Sequence, residues 1–380
     1  MITDSTFLLY AAGSLIGLLA GFLMHRSDYC VAGMFRDTFL FRNTFMLRSL
    51  CIQVTATIIF FEFSRIFGLL PLYPFPLLGF ASAANTIGGF IFGIGMVMAG
   101  GCVVGTLYKM GAGSVISIVA FIGIIAGSAL YGEIHPWWAS FVKATTFFPS
   151  VKTLPELFGI NPALLLLPLA AIATIILLKL HKQNKIIRQS EVKGYIQPWK
   201  TAIALALLGL FSYILVGMPL GITTTYAKIA AMLETLFIPE HISNTSFFQL
   251  IPFHITHPST GALLQGGPGP QIDSIWVIQF PIIAGIVLGS ALSAILLGEF
   301  SIQYKVPLKQ IFMALSGGIL LGLSSRMSPG CNVWHLMGGL PILALQSLLF
   351  LLGLIPGTWV GSKVITHIIL KQPMRPTGKS

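Results

Sequence analysis

The sequence GGFIFGIGMVMAGGC of residues 88–102 returns, in altered form, as GGILLGLSSRMSPGC at residues 317–331. Six positions are identical at one constant offset, without a gap: Gly88, Gly89, Gly93, Met98, Gly101 and Cys102 match Gly317, Gly318, Gly322, Met327, Gly330 and Cys331. In a hydrophobic chain, a repeat whose copies are both interrupted by Gly or Pro is typical of a secondary transporter's binding site. Here a cysteine follows each interruption.

The composition indicates a polytopic membrane protein. Hydrophobic residues make up 55% of the chain and charged residues 9%, against roughly 25% charged in an ordinary soluble domain. The net charge is +11, but the basic residues are scattered between apolar stretches. This favours contact with lipid headgroups and argues against nucleic acid as a partner. No Lys or Arg precedes Arg26, so we expect the first apolar run to be a permanent span rather than a cleaved signal.

Seven apolar stretches come near or exceed the roughly 20 residues that a bilayer-crossing helix needs, and the stretches 49–61 and 310–325 are shorter candidates. The predicted spans are 5–24, 49–61, 84–107, 110–132, 157–178, 201–227, 274–298, 310–325 and 336–362. The sequence therefore predicts an all-α membrane protein with about nine transmembrane helices.

Lysine and arginine predict the orientation, because short cytoplasmic loops are enriched in them. Four arginines follow the first span, and segment 179–200 holds six basic residues against one acidic residue. Segment 239–274 has no Lys or Arg and is predicted to lie outside. We expect an inner-membrane protein with its N-terminus outside and its C-terminus in the cytoplasm.

An odd number of spans implies two units of opposite topology. We predict a single integral membrane domain, with a first inverted repeat at 1–134 and a second at 201–380. Between them, 135–200 supplies an outer loop, a crossing helix and a basic cytoplasmic linker. Internal repeats of this kind are common in secondary transporters.

Four short segments are predicted to be broken or re-entrant helices: 25–33, 100–113, 217–226 and 328–339. Irregular backbone at membrane depth is tolerated only inside protein or along a polar cavity. The N-terminus of a short helix presents unpaired N–H groups and a positive dipole end, which favours an anion. Thr223 or Thr224 holds the position in the second unit that corresponds to Cys30 in the first.

Three of the four cysteines are the strongest candidates for substrate contact. Cys102 and Cys331 each follow a break, and Cys30 lies in a third interrupted segment. A thiol is soft and a weak hydrogen-bonding group, which suits a sulfur-rich ligand. Cys51 lies in an ordinary apolar stretch and is interpreted as a small hydrophobic residue. The cysteines form no CxxC pair and no zinc spacing, so we predict neither a metal nor a cofactor.

Glycines and a histidine complete the candidate site. Gly101 and Gly330 directly precede the repeated cysteines and are predicted to belong to it, whereas small-residue helix packing explains Gly88, Gly89 and Gly93 more simply. For His335, one helical turn after Cys331, a polar contact within the bundle and a role in substrate binding both stay open.

The segments SDYC (27–30), GGCVVG (100–105) and PGCNVWHLMGG (329–339) resemble the YeeE/YedE family of inner-membrane carriers. The family is associated with thiosulfate uptake and, in some members, with selenium metabolism. The resemblance covers most of the chain and implies three functional cysteines, Cys30, Cys102 and Cys331, with Asn332 beside the last. The chain departs from the family pattern at Thr106 and Trp334.

The resemblance implies a carrier rather than an enzyme, which passes a thiosulfate-like anion between thiols by weak S–H···S contacts. A dianion entering an inside-negative cell is opposed by roughly 2.3 kcal/mol per charge per 100 mV. Uptake therefore needs coupling or trapping, and the family suggests a cytosolic TusA-like sulfur carrier as the partner that traps the product.

Three alternatives stay open. A soft-metal permease for Cu(I) would use the same Cys and Met residues, and a permease for a selenium compound would use the same thiols. A membrane thiol oxidoreductase would need two neighbouring cysteines, and no two cysteines of this chain are close in sequence.

Overall fold

The computed structural model describes residues 4–188, 192, 194–258 and 260–370. Within these residues, helices dominate, and the only sheet is one short antiparallel pair of strands. In chain order the elements are α1 (Asp4–Ser27), α2 (Val31–Phe41), α3 (Phe45–Ile66), α4 (Ala83–Met98), α5 (Val103–Gly111), α6 (Val115–Ala144), α7 (Leu154–Phe158), α8 (Pro162–Lys182), α9 (Pro198–Val216), α10 (Thr223–Phe237), α11 (Pro239–Asn244), β1 (Phe253–Thr256), β2 (Leu263–Gly266), α12 (Ser274–Leu297), α13 (Leu308–Met327) and α14 (Leu345–Ile365).

Nine helices of the described residues are long and apolar enough to cross a membrane, as the sequence predicts. They are α1, α3, α4, α6, α8, α9, α12, α13 and α14. Four predicted spans have clearly different bounds. The helix in the span predicted at 84–107 ends at Met98, and the helix in the span predicted at 201–227 ends at Val216. The span predicted at 110–132 starts after the Ser114 cap and runs on to Ala144, through Pro136. The span predicted at 336–362 starts only at Leu345, because short helical turns fill the segment before it.

Each of the four predicted interruptions is present. Residues 28–30 separate α1 from α2, residues 99–102 separate α4 from α5, and residues 217–222 separate α9 from α10. After α13, residues 328–331 are followed by helical turns that begin at Asn332 and continue as Trp334–Gly339 and Leu340–Ile342. All four breaks therefore lead from a long helix into short helical structure.

The loops fall into two groups at opposite ends of the helices. At one end, which we call the basic face, segments 25–48, 183–197 and 298–307 meet. Arg48 donates to the Lys185 carbonyl at 2.8 Å, Arg26 donates to the Gly194 carbonyl at 3.2 Å, and His25 lies 3.9 Å from Glu299. This grouping agrees with the predicted sidedness, although the basic C-terminal residues 371–380 lie outside the described residues.

At the other end, which we call the opposite face, segments 67–82, 145–161 and 238–273 gather. Short bridges join Ser82 to Thr146 and Thr153 to Ala344, and the Tyr213 hydroxyl donates to the Leu72 carbonyl at 2.6 Å. The segments rich in basic residues and the segments in which Lys152 is the single Lys or Arg therefore lie on different faces of one helix bundle.

Glycine allows the long helices to approach closely. In α4, an added Cβ at Gly89 or Gly93 would collide with the backbone of α14, at Phe350 and Leu354. The prediction of packing for these two glycines is therefore confirmed. Without a hydrophobic driving force inside a bilayer, such close backbone contact is a main source of helix association.

The second copy of the repeat packs in a corresponding way. In α13, Gly318 and Gly322 press on the backbone of α6, at Ala120 and Ile124. The pair α4–α14 and the pair α13–α6 are thus built by the same glycine positions of the two copies. This correspondence supports the proposed division of the chain into two related units.

We expect the opposite face to be extracellular or periplasmic, because it lacks the excess of Lys and Arg. In a background with the four native cysteines changed to Ser, Ser243→Cys on the opposite face should react with an impermeant maleimide added outside cells. Gln183→Cys on the basic face should react only after the membrane is opened. Reversed labelling would overturn the orientation, and labelling of both from outside would show that α9 does not cross.

Candidate functional site

The thiols of Cys30 and Cys102 are neighbours on either side of one glycine: a Cβ added at Gly105 would lie 3.1 Å from the Cys30 sulfur and 3.4 Å from the Cys102 sulfur. Both are buried, with 5% and 0% of their surface exposed. Each occupies the N-cap position of a short helix, Cys30 before α2 and Cys102 before α5. The Cys102 sulfur accepts a hydrogen bond from the Gly105 amide at 3.3 Å, whereas the Cys30 side chain makes no cap hydrogen bond. The N-termini of two short helices therefore bring two thiols close together.

Cys331 belongs to the same centre. It is fully buried and directly precedes the helical turns that begin at Asn332. A cavity of about 30 Å³, lined almost entirely by apolar side chains, has Cys102 and Cys331 in its wall together with Val104 and Val333. This volume is about that of one water molecule, so the space between the two thiols is closed to a larger ion in this conformation.

Cys51 does not join the other cysteines. It is exposed on the outer surface of α3, so the prediction that it is not part of the central group is consistent with its position.

Two glycines shape the breaks before the repeated cysteines. Gly330 has φ +138°, and a Cβ there would collide with the Trp334 ring, so this predicted site residue is needed for its backbone conformation. In the first copy the glycine with positive φ is Gly100, at φ +72°. The predicted site residue Gly101 follows it and has no positive φ. Gly101 instead lies against the backbone of Gly105 and Thr106. Thr106 donates its hydroxyl to the Cys102 carbonyl at 2.8 Å.

Several buried polar groups around the thiols have no hydrogen-bond partner among the described residues. They are the Asn332 amide, the Trp334 indole nitrogen and the Tyr226 hydroxyl. The Asn332 side chain lies beside Cys102, and Tyr226 interacts electrostatically with both Cys331 and Cys102. A buried donor without a partner is costly. Their concentration at the thiols fits a site that a polar ligand completes.

Cys30 also opens onto the basic face. It lies in the wall of a cleft of about 590 Å³, which we call the basic cleft, together with Arg36, Lys109 and Arg188. Asp28 lies in the same wall and accepts a hydrogen bond from the Tyr108 hydroxyl at 3.3 Å. Asp37 is a further wall residue and is paired with Arg36 at 2.8 Å. The cysteine pair therefore connects a closed apolar interior with a polar cleft lined by three basic and two acidic side chains.

His335 is placed for a structural contact. It is fully buried, its ring nitrogens lie 3.0 Å from the Ser347 hydroxyl and 2.7 Å from the Ser328 carbonyl, and its ring stacks on Phe350. Of the two readings left open for His335, these contacts favour a polar contact within the bundle.

Thr223 directly follows the third break, and Cys30 is the last residue of the first: Cys30 precedes α2 and Thr223 begins α10. Thr223 accepts a short hydrogen bond from the guanidinium of Arg326, whose other terminal nitrogen donates to Thr224 at 3.2 Å.

Sequence reasoning missed Arg326, Tyr108 and Tyr226. Arg326 was detectable, because it is a charged residue inside an apolar repeat, where the first copy has Val97. An ionisable residue at membrane depth indicates function by default. The two tyrosines carried no comparable signal, because aromatic residues are common in the spans.

Because the Cys30 and Cys102 thiols are neighbours, we predict that an oxidant such as diamide joins them in a disulfide by taking one hydrogen from each thiol. A Cys51→Ser, Cys331→Ser variant should lose two free thiols on oxidation, measured by mass spectrometry after alkylation and cleavage. Cys30→Ser added to it should prevent the loss. Retention of both free thiols in the first variant would contradict this proximity.

Comparison with known proteins identifies the family of the chain. A thiosulfate transporter of Spirochaeta thermophila is 28% identical over 365 residues, which cover 91% of this chain and 96% of that protein. A thiosulfate transporter of Escherichia coli is 26% identical over 369 residues, 94% of this chain and 95% of that protein. The family model described as sulphur transport matches residues 26–360, and the chain therefore belongs to the sulphur transport family that includes the YeeE/YedE proteins.

Proposed function

We propose that this protein takes up thiosulfate, or a similar small sulfur-containing anion, across the inner membrane by a relay between central thiols. The substrate enters from the opposite face, passes Cys331, Cys102 and Cys30 in that order, and leaves through the basic cleft into the cytoplasm. Both relatives that match more than 90% of this chain are named thiosulfate transporters, which supports this substrate class.

One observation carries the proposal: the continuity of the three buried sulfurs. Cys331 and Cys102 share one small cavity, Cys102 and Cys30 lie on either side of Gly105, and Cys30 borders the basic cleft. A thiol donates and accepts only weak hydrogen bonds. A substrate sulfur can therefore exchange one thiol for the next without falling into a deep energy minimum.

The surroundings of the thiols favour an anion. The short helices that follow Cys30 and Cys102 direct their N-terminal dipole ends toward the same place. The unpartnered donors of Asn332, Trp334 and Tyr226 lie in the same region. Cu(I) would be met here by donor groups and positive dipole ends, so the soft-metal alternative gains no support from them.

The direction of net movement needs a driving force. The membrane potential opposes entry of a dianion by roughly 2.3 kcal/mol per charge per 100 mV. We propose that a TusA-like sulfur carrier in the cytoplasm consumes the arriving substrate, and that Arg36, Lys109 and Arg188 hold it in the basic cleft until then.

The proximity of Cys30 and Cys102 also supports the thiol oxidoreductase alternative, because the two thiols are neighbours in space despite their distance in sequence. The two functions differ in one requirement. An oxidoreductase needs this pair alone and cycles it between dithiol and disulfide, whereas the relay needs Cys331 as well and leaves all thiols reduced.

Replacing one central thiol should interrupt the relay. Cys→Ser keeps the approximate size but removes the polarisable sulfur. We expect Cys30→Ser, Cys102→Ser and Cys331→Ser each to lower uptake of labelled thiosulfate by about tenfold or more, the scale of a ~1.4 kcal/mol effect. The protein should still reach the membrane.

Cys51→Ser is the matched control and should transport normally, because Cys51 is exposed on the outside of the bundle. Equal loss in all four variants would mean that the cysteines act structurally. Full activity of Cys331→Ser with loss in the other two would favour the oxidoreductase.

Gly105 lies against the thiols of both Cys30 and Cys102. A Cβ at this position would lie 3.1 Å from the Cys30 sulfur and 3.4 Å from the Cys102 sulfur, so Gly105→Ala should push the thiols apart by a few tenths of an ångström. We expect a several-fold loss of thiosulfate uptake at unchanged membrane abundance. Gly209→Ala, in α9 with open space around it, should leave uptake intact. Equal uptake by both variants would argue against a distance-dependent relay.

A further inference from the structure

Arg326 is a cation without a counter-ion in the interior of the bundle. Its guanidinium donates to the hydroxyls of Thr223 and Thr224, and its Nε atom is buried without a partner. Among the described residues, no carboxylate forms an ion pair with it. Two other charged groups that are fully buried in the helices are paired, Glu62 with Arg65 and Lys228 with Asp273.

An unpaired guanidinium at this depth requires a reason. It cannot lose its proton under ordinary conditions, and a buried charge without a partner is destabilising. Two neutral hydroxyls reduce this cost but leave the positive charge uncompensated. An anion that binds at intervals would supply the missing partner.

The position of Arg326 links it to the thiols. It lies in the last turn of α13, five residues before Cys331, and interacts electrostatically with Cys331 and with Tyr131. Thr223 and Tyr226 lie one turn apart on α10, and the unpartnered Tyr226 hydroxyl is fully buried near Cys331. Three groups that can donate hydrogen bonds therefore face the region before the first thiol of the relay.

The same position lies toward the opposite face of the molecule. Next to Arg326, the Met327 carbonyl accepts a hydrogen bond from the Trp138 indole at 2.9 Å. Trp138 in turn packs with Phe247, Phe248 and Ile242 of the segment that forms this face. Arg326 is therefore on the entry side of Cys331 and away from the basic cleft.

We propose that Arg326, Thr223, Thr224 and Tyr226 form an oxyanion-binding site that holds the oxygen-bearing end of the substrate while its terminal sulfur faces Cys331. The proposal rests on the proposed function. The guanidinium fork matches the spacing of oxygens on a tetrahedral oxyanion, and the thiol recognises the soft end. The site thus specifies a substrate with two unlike ends, a sulfonate group and a terminal sulfur.

A consequence concerns sulfate, which has the oxygens but not the terminal sulfur. Sulfate should bind at Arg326 and compete with thiosulfate, but it should not be passed on to the thiols. Sulfide, which has no oxygens, should not compete at this site.

The test measures binding of labelled thiosulfate to the purified full-length protein in detergent, with and without sulfate, and thiosulfate uptake in parallel. We expect Arg326→Gln to weaken thiosulfate binding by tenfold or more and to abolish competition by sulfate. Arg326→Lys should retain part of the affinity, because the charge stays while the fork is lost. In uptake, Arg326→Gln should raise KM far more than it lowers the maximal rate.

Thr224→Val serves as a second variant, and it carries the test if Arg326→Gln fails to accumulate in the membrane. It should weaken thiosulfate binding several-fold. The matched control is Thr235→Val on the same helix, since the Thr235 hydroxyl bonds only to the carbonyl of Ala231; its binding should be unchanged.

Unchanged affinity in both Arg326→Gln and Thr224→Val, or no competition by sulfate in the wild type, would overturn the oxyanion site. Binding that depends on Arg326 without any thiosulfate uptake by the wild type would refute the proposed transport function while supporting the site. The two ideas therefore fail by different measurements.

Discussion

Backbone that leaves its helix inside a hydrocarbon layer must find hydrogen-bond partners within the protein, and this requirement organises the molecule. The chain breaks four times and starts a short helical segment after each break. The N-termini of α2 and α5 come together here, with Cys30 and Cys102 at their N-cap positions and the Cys102 sulfur accepting a hydrogen bond from the Gly105 amide. A site for an anion follows from this arrangement, because helix N-termini cannot meet without concentrating positive potential.

Glycines in the long helices, away from the thiols, allow the close helix packing on which the central site depends. The α4–α14 and α13–α6 pairs approach until their backbones touch, and α4 and α13 lie side by side in opposite directions, with Gly317 against Ala99 and Gly88 against Ser328. Tight packing also explains why only about 30 Å³ remains between Cys102 and Cys331. The proposed relay of a thiosulfate ion needs more room and therefore requires the helices around this cavity to move.

The architecture was readable from the sequence because hydrophobic length and glycine spacing are local signals. They located all nine spans and all four breaks, and the repeat singled out Cys102 and Cys331. Contacts between distant segments were not readable. The pairing of Cys30 with Cys102 was missed because 71 intervening residues carry no record of it. The hydrogen bond between Arg326 and Thr223 was also not predicted, because the first copy of the repeat has Val97 at the position of Arg326.

This divergence gives the two ends of the passage different chemistry. On the basic side the Cys30 thiol is surrounded by Arg36, Lys109 and Arg188 in an open cleft, where water weakens each charge. On the other side a single guanidinium lies among buried hydroxyls, where one charge acts strongly and with fixed geometry. Selection is therefore expected at the entry, where the ion is desolvated, and release at the exit, where it regains water. Two identical thiol sites could relay an ion, but they could not select it at the entry and release it at the exit.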